Sequence, residues 1–201
     1  PGVYVLADEI YEYINFDTPP ASIASFEGMK ERCIVVNGMS KGFAMTGWRL
    51  GYMASPAWIA DACAKVQGQF TSGANAFGQM AAAKALSEPP SRQDYMREKY
   101  LSRKALVKQL LDEIPGIRTN DPSGAFYFFP DITELFGRSN GERTIRDAND
   151  FIDIMLEEAH VAAVSGTAFG DPNCFRLSYA TSEAELEEAL KRMKEVLENY
   201  K

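Results

Sequence analysis

The run Asn37-Gly38-Met39-Ser40-Lys41-Gly42-Phe43-Ala44-Met45-Thr46-Gly47-Trp48-Arg49-Leu50-Gly51-Tyr52 sets a lysine among small residues, ahead of an arginine. Before it, Cys33-Ile34-Val35-Val36 is a short β-branched stretch. Further upstream, Val3-Tyr4-Val5-Leu6-Ala7 is another, and it ends in Asp8-Glu9-Ile10-Tyr11. Unbroken apolar runs of this length read as strands covered on both faces, the kind found in parallel sheets. Their carboxyl ends carry Asp8 and, a few residues on, Lys41, which is where open α/β sheets present their chemistry. Arg49 leads into a third strand, Leu50 to Ala54.

Outward from this core, Pro56 suits the first turn of a helix through about Gln67, and a small-residue helix from Ala76 to Ser87 ends before Pro89-Pro90. The double proline predicts a domain boundary. Ser91 is placed to cap a long helix over 92–114, on which Met96, Tyr100, Val107, Leu110, Leu111 and Ile114 recur at helical spacing, and Pro115-Gly116 stops it. Strands are expected at Ala125 to Phe129 and Cys174 to Tyr179, with a helix at Ala148 to Ala159 between them. The final helix is the best marked. Ser182 and Glu185 form a capping box, and Leu186, Ala189, Leu190, Met193, Val196, Leu197 and Tyr200 draw one apolar stripe.

The 201 residues are 46% hydrophobic, enough for a real core in one or two domains. Asp and Glu number 28 against 21 Lys and Arg, a formal charge of -7. That is the wrong sign for binding a phosphate backbone, so nucleic acid is set aside as a partner. No apolar run approaches a membrane span, and the reading is of a soluble protein of the cytoplasm. Cys33, Cys63 and Cys174 are scattered and odd in number, which suggests neither a disulfide framework nor a zinc site. His160, the one histidine, rules out histidine triads and multi-histidine metal sites, and reads as a structural residue near a helix end.

Strand-Asp8-x-x-Tyr11, then Ser40-Lys41, then Thr46-Gly47-Trp48-Arg49 resembles the fold-type I pyridoxal-phosphate enzymes, specifically the aspartate aminotransferase-like (class I) aminotransferases. The resemblance covers nearly all of the chain. It implies an α/β fold: the C-terminal part of the large cofactor-binding domain, a mostly parallel sheet with helices, over 1–90; a long connecting helix over 91–114; and a small α+β domain over 115–201. It also implies pyridoxal 5′-phosphate as cofactor, an amino acid and a 2-oxoacid as substrates, and a homodimer in the full-length protein. Pro1-Gly2 carries no initiator Met and runs almost at once into an apolar strand, so the expectation is a C-terminal portion lacking its N-terminal half and inactive when isolated.

Each chemical task then falls to a residue type. By resemblance, Lys41 is the Schiff-base lysine and the acid and base that moves the substrate's α-proton. Asp8 would pair with the cofactor's ring nitrogen, because a carboxylate turned inward at the end of an apolar strand needs a cation. Glu9 competes for that role but alternates to the other face. Tyr11 matches the tyrosine that donates to the cofactor's 3′-oxygen, with Tyr13 read as packing. Arg49 matches the phosphate arginine, whose planar fork suits two parallel hydrogen bonds. Arg176, in Asn173-Cys174-Phe175-Arg176-Leu177-Ser178, matches the arginine that grips the substrate α-carboxylate.

The departures from the family pattern are specific. Gly38 stands where several relatives place a phosphate-binding hydroxyl, so no phosphate role is carried onto Ser40. Phe126 reads equally as core or as substrate contact. Ser165 stands in the loop Val164 to Gly170 where proline is frequent. The loop Gln69 to Asn75 holds no arginine, so the dicarboxylate-reading arginine of some relatives is not matched there. An aminotransferase for aspartate or a related amino acid is the leading reading. A lyase or decarboxylase on the same cofactor, or a non-catalytic effector-sensing module, is the alternative.

Overall fold

A computed structural model describes residues 2–17 and 19–201, so the reading made at Pro1 falls outside them. The chain divides into two compact units, Pro1–Arg97 and Glu98–Lys201.

The first unit is built on three strands, β1 (Val5–Asp8), β2 (Cys33–Gly38) and β3 (Gly51–Ala54), in the order β1-β2-β3. β1 and β2 are parallel, with Val5 opposite Cys33 and Asp8 opposite Val36. β3 returns antiparallel, with Gly38 opposite Gly51. That glycine pair is a close approach, since a Cβ on Gly38 would meet the Leu50 carbonyl oxygen at 2.7 Å. A hydroxyl-bearing residue at 38 would therefore force the backbone apart. Among the described residues β1 is an edge strand with β2 as its one neighbour, and Leu6 on it is 66% exposed. The cover on both faces that its apolar run calls for is not supplied by these residues.

Helix α1 (Ala57–Phe70) follows Pro56, and α2 (Ala76–Ser87) is capped by Asn75, whose Oδ1 accepts the Gly78 N–H at 2.6 Å. α1 runs almost a turn beyond Gln67. Its end is enforced by Ser72 and Gly73, both at positive φ. Pro90–Gln93 then forms a 3-10 turn, and helix α3 spans Asp94–Asp112. Ser91 lies inside that turn instead of capping the helix, because the first bond after the double proline runs from the Arg92 N–H to the Pro89 carbonyl.

In the second unit, β4 (Tyr127–Phe128), β5 (Val164–Ser165) and β6 (Phe175–Ser178) form an antiparallel sheet in the order β4-β6-β5. Helix α4 (Ala148–Glu157) is capped by Asp147, which accepts the Asn149 and Asp150 N–H groups. Helix α5 (Glu183–Leu197) carries the expected Ser182–Glu185 capping box. Val107 and Leu111 of α3, Phe151, Ile154 and Met155 of α4, Phe175 of β6, and Leu186, Leu190 and Met193 of α5 are all buried here. His160 follows α4 at φ 54°, a helix-end residue as expected. The C-terminus is tied down, with Ser139 and Lys201 exchanging backbone hydrogen bonds of 3.0 and 3.1 Å. No helix among the described residues is long and apolar enough to cross a membrane.

Candidate active site

The topology of the first sheet gathers four of the five expected residues at one edge. Asp8 closes β1 and Tyr11 lies in the turn after it. Lys41 lies three residues beyond the end of the parallel β2. Because β3 is antiparallel, its beginning faces the end of β2, and the Met39 N–H bonds the Leu50 carbonyl at 3.1 Å. Arg49, just ahead of β3, is thereby brought to the same edge. The register of β2 against both neighbours thus brings these candidate residues together.

Lys41 is half-buried and its Nζ lies 6.0 Å from the centre of the Tyr11 ring. Gly42 beside it leaves room for the Tyr13 ring, whose atoms come within 2.5 Å of where a Cβ would stand. Tyr13 also meets Phe43 edge to face at 5.2 Å, which makes it a packing residue. Arg49 adopts the left-handed conformation at φ 56°, closing a 3-10 turn at Thr46–Trp48, and its Nη1 donates to the Thr46 carbonyl at 2.8 Å. A bulky non-glycine residue in that region is held there at a cost of order 1 kcal/mol or more. The side chain of Asp8 is exposed, and its Oδ1 accepts the Ile10 N–H at 3.1 Å. The inward burial that would by itself demand a cation does not occur within these residues.

Asn37 and Glu12 escaped the sequence reading. Asn37 is buried in β2, donates from Nδ2 to Glu12 Oε1 at 2.9 Å, and accepts the Gly38 N–H at 2.7 Å. Burial holds the Glu12 carboxyl above the ordinary carboxylate range, opposed by the Asn37 hydrogen bond. The available signal was an amide ending a run of Ile and Val.

Arg176 sits in the second unit on β6, half-buried. Its guanidinium carbon is 4.4 Å from the centre of the Phe169 ring and 4.6 Å from that of Tyr127. Neither ring was assigned a role from the sequence, although Tyr127 stands in the aromatic run Phe126 to Phe129 and Phe169 in the loop Val164 to Gly170. Phe126 is buried and stacks on Tyr100 at 5.3 Å, in keeping with its reading as core.

The family model for class I and II aminotransferases matches residues 1–193. The chain belongs to that family. Aspartate aminotransferase of Rhizobium meliloti (strain 1021) is 43% identical over 202 residues, covering 96% of the chain and 48% of that protein. Aromatic-amino-acid aminotransferase 2 of Thermococcus litoralis is also 43% identical, covering 98% and 49%. The crystal structure of the Rhizobium meliloti aspartate aminotransferase superposes with a TM-score of 0.96 at 40% identity, covering all of the chain and 51% of that structure. The chain spans about half the length of the curated relatives it matches. Among class I and II aminotransferases the cofactor is pyridoxal phosphate, and the donor set at the sheet edge fits it: an amine for an aldehyde, a carboxylate for a protonated ring nitrogen, a phenol, and a guanidinium for a phosphate.

Proposed function

We propose that this chain carries the cofactor lysine and the substrate arginine of an aminotransferase that moves an amino group between aspartate, or a related amino acid, and a 2-oxoacid. The observation that carries the reading is the convergence of Asp8, Tyr11, Lys41 and Arg49 on one sheet edge in a member of the aminotransferase family. When bound, pyridoxal phosphate supplies an electron sink for the substrate's α-carbon. Lys41 would tether the cofactor and, once its amine is free, would take the substrate's α-proton as general base and deliver it to the cofactor's C4′ carbon as general acid. Asp8 keeps the ring nitrogen protonated, Tyr11 donates to the 3′-oxygen, and Arg49 holds the phosphate through its planar fork. Arg176 takes the substrate α-carboxylate. Lys41 and Arg176 are assigned to one reaction by family membership.

The division of labour follows the expected domains, with 1–90 in the cofactor domain, 91–114 connecting and 115–201 closing on substrate. A homodimer is supported by Phe70, Phe77 and Met80, which are 84%, 72% and 76% exposed on or beside α1 and α2. Residence in the cytoplasm is supported by three cysteines that remain unpaired.

The test is transfer of isotopic nitrogen from L-aspartate to 2-oxoglutarate by the longest natural protein that contains these residues. Stoichiometric formation of labelled glutamate supports the reading. Release of ammonia or carbon dioxide without transfer would replace it with a lyase or a decarboxylase, and cofactor binding with no turnover of any amino acid would favour an effector-sensing module.

A further inference from the structure

The two rings against Arg176 are placed by the sheet. Tyr127 pairs with Ser178 across β4 and β6, so it lies diagonal to Arg176 on the same face, within reach of a long side chain. Phe169 ends the 3-10 turn Gly166–Phe169 that follows β5, and β5 sets Val164 opposite Arg176. That turn is pinned at several points. Ser165 Oγ accepts the Thr167 N–H at 3.3 Å, and the Gly166 N–H bonds the Cys174 carbonyl at 2.8 Å. Gly170 closes the turn at φ 87°. Phe129 meets the Phe169 ring edge-on at 6.1 Å. Phe169 is therefore a held ring, although it is 48% exposed.

A guanidinium offers its π-surface to aromatic rings and its N–H donors outward in its own plane. Where rings 4.4 and 4.6 Å from the guanidinium carbon cover that π-surface, the way left to an anion is along the edge, in plane. A carboxylate is flat and can lie coplanar, accepting two parallel hydrogen bonds. A phosphonate or sulfonate is tetrahedral. Whichever two oxygens it offers, a third stands out of the plane toward a ring. Resting on the assignment of Arg176 to the substrate α-carboxylate, we infer that Phe169 and Tyr127 are positioning residues that make Arg176 selective for a planar carboxylate over a tetrahedral anion. Charge works the other way, because a phosphonate carries more of it, so the selectivity comes from shape.

The experiment compares L-aspartate with its counterpart bearing a phosphonate in place of the α-carboxylate. It uses the longest natural protein containing this chain, loaded with pyridoxal phosphate, and follows binding by the absorbance of the bound cofactor. Phe169→Leu and Tyr127→Leu keep apolar bulk but remove the rings. Each should raise KM for aspartate by about tenfold with kcat within about threefold, and should shrink the carboxylate-to-phosphonate preference by about tenfold, the scale of one cation–π contact. Phe169→Tyr should restore both. An unchanged preference in both leucine variants, with Arg176→Ala still blocking aspartate binding, overturns the inference and leaves the Arg176 assignment standing. Unimpaired aspartate binding by Arg176→Ala overturns the assignment itself, and with it the inference.

Discussion

The Lys41 amine lies 6.0 Å from the centre of the Tyr11 ring, a meeting set by the parallel pairing of β1 and β2. On the proposed function, the Tyr11 phenol acts on the cofactor that Lys41 holds. Borohydride reduction of the cofactor-loaded protein should fix the label on the Lys41 peptide and on no other lysine. Label on Lys65 or Lys84 would refute the assignment. Tyr11→Phe should keep the label while weakening cofactor retention by about tenfold or more, the worth of one hydrogen bond to a charged group.

Asp8→Ala and Arg176→Ala should fail in different ways. Loss of the carboxylate should alter the absorbance of the bound cofactor and stop turnover. Loss of the guanidinium should leave that absorbance intact while weakening amino-acid binding by about 2–5 kcal/mol, the usual cost of removing one partner of a desolvated charge pair. Absorbance lost in both variants would point to misfolding.

Gly166 is buried where a Cβ would stand 2.2 Å from the Asp171 carbonyl oxygen and 2.4 Å from that of Cys174. Both obstacles are backbone and cannot swing away. Gly166→Ala should cost about 1–3 kcal/mol or more as the β5–β6 turn is forced open. A urea midpoint equal to the parent's would show that the turn yields freely.

Tyr200 is buried, its hydroxyl donating to Glu158 Oε1 at 2.7 Å and accepting from Asn140 Nδ2 at 3.2 Å. Tyr200→Phe should cost about 1–2 kcal/mol, toward the low end for a bond to a charged group because Glu158 is part-exposed. Burial first, then the bond to Glu158, pushes the phenol up to about 12. Since an unfolded tyrosine titrates near ~10, this contribution is whole below that pH and is lost as pH rises toward 12. Alkaline melts of parent and Tyr200→Phe should therefore converge across that window. A gap that persists above it would contradict the role of the hydroxyl.

The 201-residue chain expressed alone should self-associate, because Leu6, Trp58, Val66, Phe70, Phe77 and Met80 all stand exposed in the first unit. Amide exchange should be fast in residues 1–60 and slow in the second unit, where the buried residues concentrate. Monomeric sedimentation at high concentration with full transaminase activity would contradict this.

Short-range features were legible in the residues themselves. The Ser182–Glu185 box, the bounds of α2 and the stripe of α5 each depend on hydrogen bonds or periodicities that span only a few residues. What depends on register was not. The left-handed Arg49, the Asn37–Glu12 bond and the Phe169 and Tyr127 rings on Arg176 exist because particular strands pair in particular alignments. Nor could an apolar run such as Val3 to Ala7 say which surface covers it. Apolar character in a sequence states that cover is needed, whereas the edge position of β1 follows from which neighbours the chain supplies, and burial is a property of neighbours.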